Sequence, residues 1–384
     1  MTIPGRFVRD PRGYRYFVPS PLPPRVAWEP GLLNLLSEAD RRIGRLAGEG
    51  RRLPNPHLLV RPFVRREAVD SSRIEGAQAT LGELLAAEAG AAVDRSPADL
   101  REVGNYVVAI ETVLGRPRRP RITLALVREL HRILMTGEHG ANASPGRFRD
   151  VQNWIGPPLS TVRTASYVPP SPGEMRACLL EWQRSVDDRG LPPLVHLAML
   201  HYQFEAIHPF LDGNGRVGRL LIVLFLVLHD ILPSPLLYLS AYFDATRAAY
   251  HARLRAVSDT GDWGSWLRYF LKGVEIQAGD ALNRAGRIDA LLRRWGEEAA
   301  RSGLGADRRL IDFVAINPFL TVKRAAAHLG VAFTTAQRAV ERLAKRSVLR
   351  EVSGGRRDRV YCAKELLAIL EEPPSLPENL ADLV

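Results

Sequence analysis

Apolar residues are concentrated in two segments near the middle of the chain, with a short polar stretch between them. Residues 194–207 are rich in Leu, Val, Ala and Met, and residues 220–228 are wholly apolar. Both segments have the composition expected of buried helices. Pro209 disfavours helical geometry at the preceding residue, so the first helix should end at His208. Asp212 is a good N-cap, so the second helix should begin directly after it.

The start of this second helix carries an excess of positive charge. Its first turn has backbone N–H groups without intrahelical partners and a partial positive charge from the helix dipole. Arg216 and Arg219 are three residues apart, so they lie on one helix face and add two full charges. Gly213 and Gly215 would let an anion approach the backbone closely. The pattern therefore predicts a binding site for a polyphosphate.

The whole string, HPFLDGNGRVGR from His208 to Arg219, resembles the HPFx(D/E)GNGRxxR motif of Fic-domain proteins at every specified position. The resemblance implies a mainly α-helical core with a small β-hairpin flap. It also implies transfer of AMP from ATP to a Ser, Thr or Tyr hydroxyl of a target protein. His208 would be the general base for that hydroxyl, and Asp212 would hold Mg²⁺. The predicted nucleotide-binding residues are Gly213, Asn214, Gly215, Arg216, Val217, Gly218 and Arg219, with Arg216 at the β-phosphate and Arg219 at the γ-phosphate.

A second motif, nearer the N-terminus, predicts a restraint on this site. Residues 63–75 have a helical pattern that Gly76 could terminate. The string SSRIEG from Ser71 to Gly76 resembles the (S/T)xxxE(G/N) inhibitory motif of Fic proteins. The resemblance implies that Ser71, Glu75 and Gly76 form this motif and that Glu75 pairs with Arg219. A carboxylate and a terminal phosphate would then compete for one guanidinium, so autoinhibition is expected.

The segment between the two motifs is the predicted target platform. Residues 153–170 combine Thr, Val, Ile and Tyr with Gly and Pro punctuation, which is typical of a short hairpin. By resemblance this is the Fic flap, which pairs with an extended target segment. The predicted target-binding residues are Thr161, Val162, Arg163, Thr164 and Ala165. Tyr242 and Tyr250 are predicted contacts of the nucleotide base, but relatives often have Asn where Thr246 stands, so base preference stays open.

Composition narrows the class of protein. The 384 residues are 46% hydrophobic and 25% charged, which is ordinary for a globular chain of two or three domains. Two cysteines, Cys178 and Cys362, suggest neither a disulfide framework nor a metal cluster. A charged start without an apolar core does not resemble a signal peptide, and residues 220–228 are too short to span a bilayer. We therefore expect a cytoplasmic protein without membrane contact.

The net charge of +11 is unevenly placed, because residues 306–362 carry 12 Lys and Arg against 5 Asp and Glu. Within this region, residues 310–316 and 322–329 predict short helices, and residues 334–345 predict an amphipathic helix bearing Arg. A basic hairpin, SGGRRDR at 353–359, should follow. This order resembles a winged helix-turn-helix domain, in which the third helix would enter the DNA major groove. Such modules also serve protein contacts or dimerisation, so both uses stay open.

The expected division is an N-terminal Fic-associated region with the inhibitory helix (1–95), a Fic catalytic domain (96–287), a connector (288–305) and the winged helix-turn-helix domain (306–384). The favoured function is a protein adenylyltransferase. The alternatives are a DNA-binding regulator whose Fic-like core senses nucleotide, removal of AMP from a target, and transfer of another phosphate group. Homodimerisation is common among relatives and is left open by the residues.

Overall fold

The computed structural model describes residues 4–52, 57–137, 144–301, 305–353 and 358–376. Within these ranges the chain is mainly α-helical, as predicted, and two small antiparallel sheets accompany the helices. None of the helices in these ranges contains an apolar stretch long enough to cross a bilayer.

The helices of the described ranges are, in chain order, α1 (Pro30–Arg52), α2 (His57–Ile74), α3 (Leu81–Glu88), α4 (Pro97–Leu114), α5 (Leu124–Leu134), α6 (Pro172–Ser185), α7 (Pro193–Ile207), α8 (Asn214–Leu228), α9 (Ser240–Ala245), α10 (Arg247–Thr260), α11 (Trp263–Ala300), α12 (Gly305–Ile316), α13 (Val322–Leu329), α14 (Phe333–Lys345) and α15 (Lys364–Glu371). The strands β1 (Gly5–Arg9) and β2 (Arg15–Pro19) form a hairpin in which Phe7 faces Phe17. The strands β3 (Phe319–Thr321), β4 (Arg350–Glu351) and β5 (Val360–Cys362) form a second sheet in the order β3-β5-β4.

The two apolar segments become α7 and α8, which pack against each other in the centre of the molecule. Nearly every residue of both helices is buried, because other helices cover them on all sides: α11 and α6 pack on α7, and α5 and α4 pack on α8. An all-round apolar composition is what such a position requires. The prediction of two buried, mutually packed helices is confirmed.

Side-chain caps set the beginning of several surrounding helices. Thr80 and Glu83 form a capping box at the start of α3. Ser96 caps α4 and Ser171 caps α6, each followed by a proline in the first turn. The Asp262 carboxylate accepts a hydrogen bond of 3.0 Å from the Ser265 N–H at the start of α11. These polar positions fix where the helices enter the core.

A single helix runs through the predicted boundary near residue 287. The helix α11 extends over 38 residues, and residues 288–300 of the expected connector are its last turns. Near the end of the expected connector, Gly303 lies outside the described residues and Gly305 is the first residue of α12. The connection between the central helices and the C-terminal region is therefore largely helical.

Within the C-terminal region, α12, α13 and α14 lie close to the three predicted helices, while β3 and α15 have no counterpart in the prediction. The tip of the basic hairpin, residues 354–357, lies outside the described residues. This region packs onto α2 and α3. The Asn317 side chain donates to the Leu85 carbonyl at 2.9 Å, Arg324 donates to the Glu88 carbonyl at 2.9 Å, and Arg66 of α2 donates to the Glu372 carbonyl at 2.9 Å.

Candidate active site

The polar stretch between α7 and α8 forms a tight loop that ends at an uncapped helix start. Gly213 is the N-cap of α8, with φ of +76°, a conformation that favours glycine. The expectation that Asp212 is the N-cap is wrong: its Oδ1 instead accepts the Gly213 N–H at 2.6 Å. No side chain caps α8. The positive end of its dipole is therefore left for another anion.

His208 lies at the other end of this loop, where α7 stops. Its backbone adopts a left-handed conformation, with φ of +48° and ψ of 63°, immediately before Pro209. The imidazole Nδ1 is buried and has no hydrogen-bond partner among the described residues. Burial, and next the nearby Arg149 charge, lower the pKa of His208 to about 4. The ring is therefore neutral near pH 7 and can accept a proton.

Four side chains hold the loop by bonding its backbone or its neighbours. The buried Arg149 guanidinium donates to the His208 carbonyl at 2.9 Å and to the Pro170 carbonyl at 2.6 Å. The Asn153 side chain donates to the Phe210 carbonyl at 2.8 Å. The remaining contacts are those of Asn214, which exchanges two hydrogen bonds with the Phe210 backbone, and of His131, whose Nε2 lies 3.0 Å from the Asp212 carbonyl.

Sequence reasoning assigned no role to Arg149, Asn153 or His131. Their partners are backbone carbonyls brought close by folding, so no spacing of residue types points to them. The His131 ring also stacks on Phe210, with ring centroids 3.7 Å apart. Its Nδ1 accepts the Gly146 N–H at 2.8 Å, so Nε2 carries the proton and donates to Asp212. The loop is thus positioned from several sides.

Arg219, the second motif arginine, is held by the predicted inhibitory helix. Its side chain is only 2% exposed. The Nε atom donates to Ser71 Oγ at 2.9 Å, and Nη2 donates to the Ser71 carbonyl at 2.9 Å and to Glu75 Oε1 at 2.7 Å. The helix α2 ends at Ile74, and Gly76 has φ of +108°, so the predicted termination at Gly76 agrees with the structure.

Gly215 makes the close approach of Glu75 possible. A Cβ atom at this position would lie 2.2 Å from Glu75 Oε1 and 2.8 Å from Arg219 Nη1. Burial raises the pKa of Glu75, but the charge and hydrogen bond of Arg219 outweigh it, so the pKa is lowered overall. Glu75 is therefore an anion at neutral pH.

Arg216, the first motif arginine, has a different environment. Its side chain is 7% exposed, and Nη1 forms an ion pair of 2.9 Å with Glu102 on α4. Nη2 lies 3.7 Å from Asp212 Oδ1 and 3.5 Å from Met135 Sδ. The Nε atom is buried without a hydrogen-bond partner in the described part of the chain. A buried, unpartnered guanidinium N–H is costly unless an acceptor reaches it.

Of these groups, Glu75, Glu102, Asp212 and Arg216 line a cavity of about 320 Å³, together with residues that include Asn105 and Met135. Asp212 is the more exposed carboxylate, with 60% of its side chain accessible. Across the described ranges, no three His, Cys, Asp or Glu side chains are grouped as ligands of a common metal ion. The cavity therefore offers cationic groups for an oxyanion and several carboxylates, of which Asp212 is more exposed than Glu75 or Glu102.

One further carboxyl group lies behind the motif helix. Glu205 Oε1 is buried and has no hydrogen-bond partner among the residues described. It packs against Gly218, where a Cβ atom would lie 2.2 Å away. Burial raises the pKa of Glu205 to about 7, while the Arg219 charge opposes the rise. This group was not among the predicted site residues.

The predicted flap contains less strand than expected. Ile155 and Tyr167 form one antiparallel bridge, with hydrogen bonds of 2.8 and 2.9 Å in the two directions. Pairing stops beyond Ile155 because Pro157 and Pro158 have no N–H to donate. The residues from Thr161 to Ala165 follow as turns, in which the Thr161 N–H donates to Thr164 Oγ1 at 2.9 Å. Thr161, Arg163 and Thr164 are exposed, and Val162 and Ala165 are half-buried.

The two tyrosines predicted to contact a base are both buried. Tyr242 is inaccessible and packs so tightly on Gly273 that a Cβ there would lie 2.6 Å from its ring. Tyr250 is 1% exposed, and its hydroxyl lies 2.8 Å from His201 Nε2. Neither ring can reach a base in this conformation. Base contact by these residues stays a prediction that would require the surrounding side chains to move.

The sequence matches two families and several curated proteins. Residues 33–114 match the family described as Fic/DOC family N-terminal, and residues 121–226 match the Fic/DOC family. The chain is 38% identical over 104 residues to "Protein adenylyltransferase Fic" of Drosophila grimshawi and 30% identical over 160 residues to "Protein adenylyltransferase fic-1" of Caenorhabditis elegans. These alignments cover 26% and 40% of this chain but only 19% and 27% of the two relatives.

Solved structures share the fold. A Fic family protein from Desulfovibrio desulfuricans G20 aligns with a TM-score of 0.57 and 20% identity, covering 88% of this chain and 97% of that chain. Fic-1 from C. elegans aligns with a TM-score of 0.51 and 24% identity, covering 66% of this chain and 73% of that chain. The sequence matches thus place residues 33–114 and 121–226 in similarity to two parts of the Fic/DOC family, and the solved structures show a shared fold.

Proposed function

We propose that this protein is an adenylyltransferase that moves AMP from ATP to a hydroxyl side chain of a target protein. The proposal rests on the hydrogen-bond partners of two arginines at the start of α8, which no side chain caps. Arg219 binds an internal carboxylate, and Arg216 keeps a buried N–H unpartnered. Both facts are expected where a polyphosphate binds. The names of the curated relatives agree with this activity.

In the proposed reaction, the target hydroxyl oxygen forms a bond to the α-phosphorus of ATP. The bond from that phosphorus to the oxygen bridging to the β-phosphate breaks, and pyrophosphate leaves with the electron pair. The neutral His208 accepts the hydroxyl proton, which its lowered pKa permits at neutral pH. The arginines and the N-terminus of α8 would offset negative charge on the phosphates, so catalysis rests on positioning and electrostatics.

Mg²⁺ is proposed to arrive with ATP as part of the substrate. Mg²⁺ in nucleotide sites is commonly held by one or two carboxylates together with substrate phosphates and water. The Asp212 carboxylate, which is more exposed than those of Glu75 and Glu102 at the same cavity, fits this arrangement. Its Oδ1 is oriented by the Gly213 N–H, which supports a fixed ligand position.

The enzyme is proposed to be autoinhibited by α2. The edge of Arg219 formed by Nε and Nη2 is the one suited to a phosphate, and Ser71 and Glu75 occupy it. The terminal phosphate of ATP would have to displace Glu75 before it could reach this edge. Release of Glu75 is therefore the proposed activating step.

A labelling experiment tests the transfer. We would incubate Glu75→Gly with ATP labelled in the α- or the γ-phosphate, using host lysate as the source of targets. Protein labelling from the α position that is lost in Glu75→Gly/His208→Ala supports AMP transfer. Labelling from the γ position alone would instead indicate kinase-type chemistry. Release of AMP from prelabelled protein by the wild type would indicate the reverse reaction.

DNA binding by the C-terminal region is the second candidate. Arg338 and Lys345 are exposed on α14, in accord with a basic surface. Two other basic residues of this region share one negative charge, because Arg342 and Arg346 lie 2.6 and 3.2 Å from the buried Asp307 carboxylate. The test is a salt-titrated assay with generic duplex DNA. Binding that weakens steeply with salt supports this function, and no binding at low salt removes it.

A further inference from the structure

The two motif arginines differ in which part of the guanidinium is available. In Arg219, the edge formed by Nε and Nη2 is bonded to Ser71 and Glu75. In Arg216, the same edge has a buried Nε without a partner and an Nη2 with only weak neighbours at 3.5 and 3.7 Å. This edge presents two parallel N–H groups that match two phosphate oxygens. The phosphate fork of Arg216 is therefore open in the sense that no oxygen atom bonds it, whereas Ser71 and Glu75 bond the fork of Arg219.

Glu102 contacts Arg216 on the side away from that fork. Its Oε1 lies 2.9 Å from Nη1, the nitrogen that does not belong to the open edge. Glu102 projects from α4, within the N-terminal family region, and its side chain is 26% exposed at the cavity. Its position thus differs from that of Glu75, which bonds the phosphate edge of its arginine directly.

We propose that Glu102 is a positioning residue that holds Arg216 with its phosphate fork open toward the β-phosphate of the nucleotide. This inference rests on the proposed adenylyltransferase function. Residues 33–114, which supply Glu75, would then also supply the residue that positions Arg216, one of the two arginines of the proposed phosphate site. Inhibition would act on Arg219 alone, and Arg216 would be ready before activation.

The neighbourhood of Arg216 explains why such a brace is needed. Asp212 is one helical turn before Arg216, and its carboxylate is already 3.7 Å from Nη2. Without Glu102, the guanidinium has this carboxylate as its nearest remaining charge partner. Closure of that pair would cover the fork and also engage the carboxylate proposed to hold Mg²⁺. Glu102 therefore keeps the cation and the proposed metal ligand apart.

The test compares nucleotides that differ by the β-phosphate. In Glu75→Gly protein, calorimetry with Mg²⁺ would measure dissociation constants for ADP and for AMP, with and without Glu102→Gln. We expect Glu102→Gln to raise the dissociation constant for ADP by about tenfold and to leave that for AMP unchanged. A simple folding defect would weaken both nucleotides. The variant Glu102→Asp keeps the charge but moves it away from Arg216. It should likewise weaken ADP binding without changing AMP binding, and it replaces Glu102→Gln if that variant unfolds.

Asp99→Asn is the matched control, because Asp99 lines the same cavity and also carries a negative charge. Its removal should leave ADP binding equal or tighter, since a negative charge near the phosphates is lost. The proposal would be overturned if Glu102→Gln bound ADP as tightly as the Glu75→Gly parent, or more tightly. Glu102 would then have no effect on nucleotide binding or would compete with the phosphates for Arg216. This outcome is separate from failure of the proposed function, which would appear as Glu75→Gly protein that binds ADP but transfers no AMP.

Discussion

Glu75 and Arg219 are 144 positions apart in the sequence, yet the carboxylate oxygen of one lies 2.7 Å from the guanidinium of the other. The contact joins the end of α2 to the first turns of α8, where Arg219 and Ser71 are buried and the Glu75 side chain is 39% exposed. Removing a partner of such a pair leaves the other charge uncompensated. An incoming phosphate can restore the balance, which connects this contact to the proposed restraint.

The first prediction concerns that restraint. Glu75→Gly should raise AMP labelling at least about tenfold over the wild type, because Glu75 no longer competes with phosphate for Arg219. A tenfold change in rate corresponds to about 1.4 kcal/mol in activation free energy. The control is Glu111→Gln, which removes an exposed glutamate 3.1 Å from Arg65 and should not change labelling. Labelling by Glu75→Gly at the wild-type level, in protein that binds nucleotide, would contradict the inhibitory role.

Gly215 should be coupled energetically to Glu75. Gly215→Ala places a methyl group 2.2 Å from Glu75 Oε1 and should lower the free energy of unfolding by about 1–3 kcal/mol. In the Glu75→Gly background that obstacle is absent, so the cost should shrink measurably. Denaturant unfolding of the four proteins in this double-mutant cycle checks the coupling. An equal cost in both backgrounds would show that the methyl group meets something other than Glu75.

A substitution at Arg149 should impair the positioning of His208 without impairing nucleotide binding. Arg149→Lys cannot reach the carbonyls of His208 and Pro170 together, and we expect it to lower stability by about 2–4 kcal/mol. In Glu75→Gly protein it should also reduce AMP labelling strongly while ADP binding persists.

The matched control for Arg149 is Arg128→Lys. Arg128 donates a single hydrogen bond of 2.8 Å to the Gly146 carbonyl and does not contact His208. Its replacement should cost less stability and leave labelling near its starting level. Loss of ADP binding in Arg149→Lys would mean that the substitution disturbs the arginines of α8 as well.

Glu205 should make stability depend on pH. Its pKa in the folded protein is about 7, above the ordinary 4.5, so protonation favours the folded state. This contribution is complete below about pH 4.5 and is lost as the pH rises through 7. The wild type should therefore lose about 1–3 kcal/mol relative to Glu205→Gln between about pH 5 and pH 8.

Parallel denaturant titrations of the two proteins at these pH values measure the Glu205 effect. The comparison with Glu205→Gln cancels the opposing contributions of buried histidines, such as His201, whose pKa is lowered to about 3 by burial. A difference between the two proteins that stays constant with pH would mean that Glu205 titrates normally in the folded state.

The sequence anticipated the features that depend on local chemistry. Apolar composition located α7 and α8, Pro209 marked the end of the first of these helices, and the spacing of Arg216 and Arg219 put both at one helix end. The pairing of Glu75 with Arg219 was anticipated only through resemblance to a family motif. The pattern of charged residues alone indicates two cations, Arg216 and Arg219, and a carboxylate, Glu75. It does not indicate which arginine the carboxylate contacts.

Other features could not be read from the chain. The N-cap of α8 is Gly213 and not the predicted Asp212. The tight loop requires a left-handed backbone conformation at this position, which favours glycine. Arg149 and Glu102 act on groups far away in sequence, and only the packing of helices brings them there. Tyr242 has the spacing of a pocket aromatic, but its neighbours in the fold make it part of the core.

The attachment of Glu75 to the same polypeptide as Arg219 has a kinetic consequence. A tethered group faces its partner at a fixed local concentration, often in the millimolar range or above, however dilute the protein becomes. Dilution therefore cannot free Arg219, and only a rival ligand or a displacement of α2 can do so. If Glu75 inhibits as proposed, newly synthesised chains would be inactive as soon as they fold, before any second molecule is encountered.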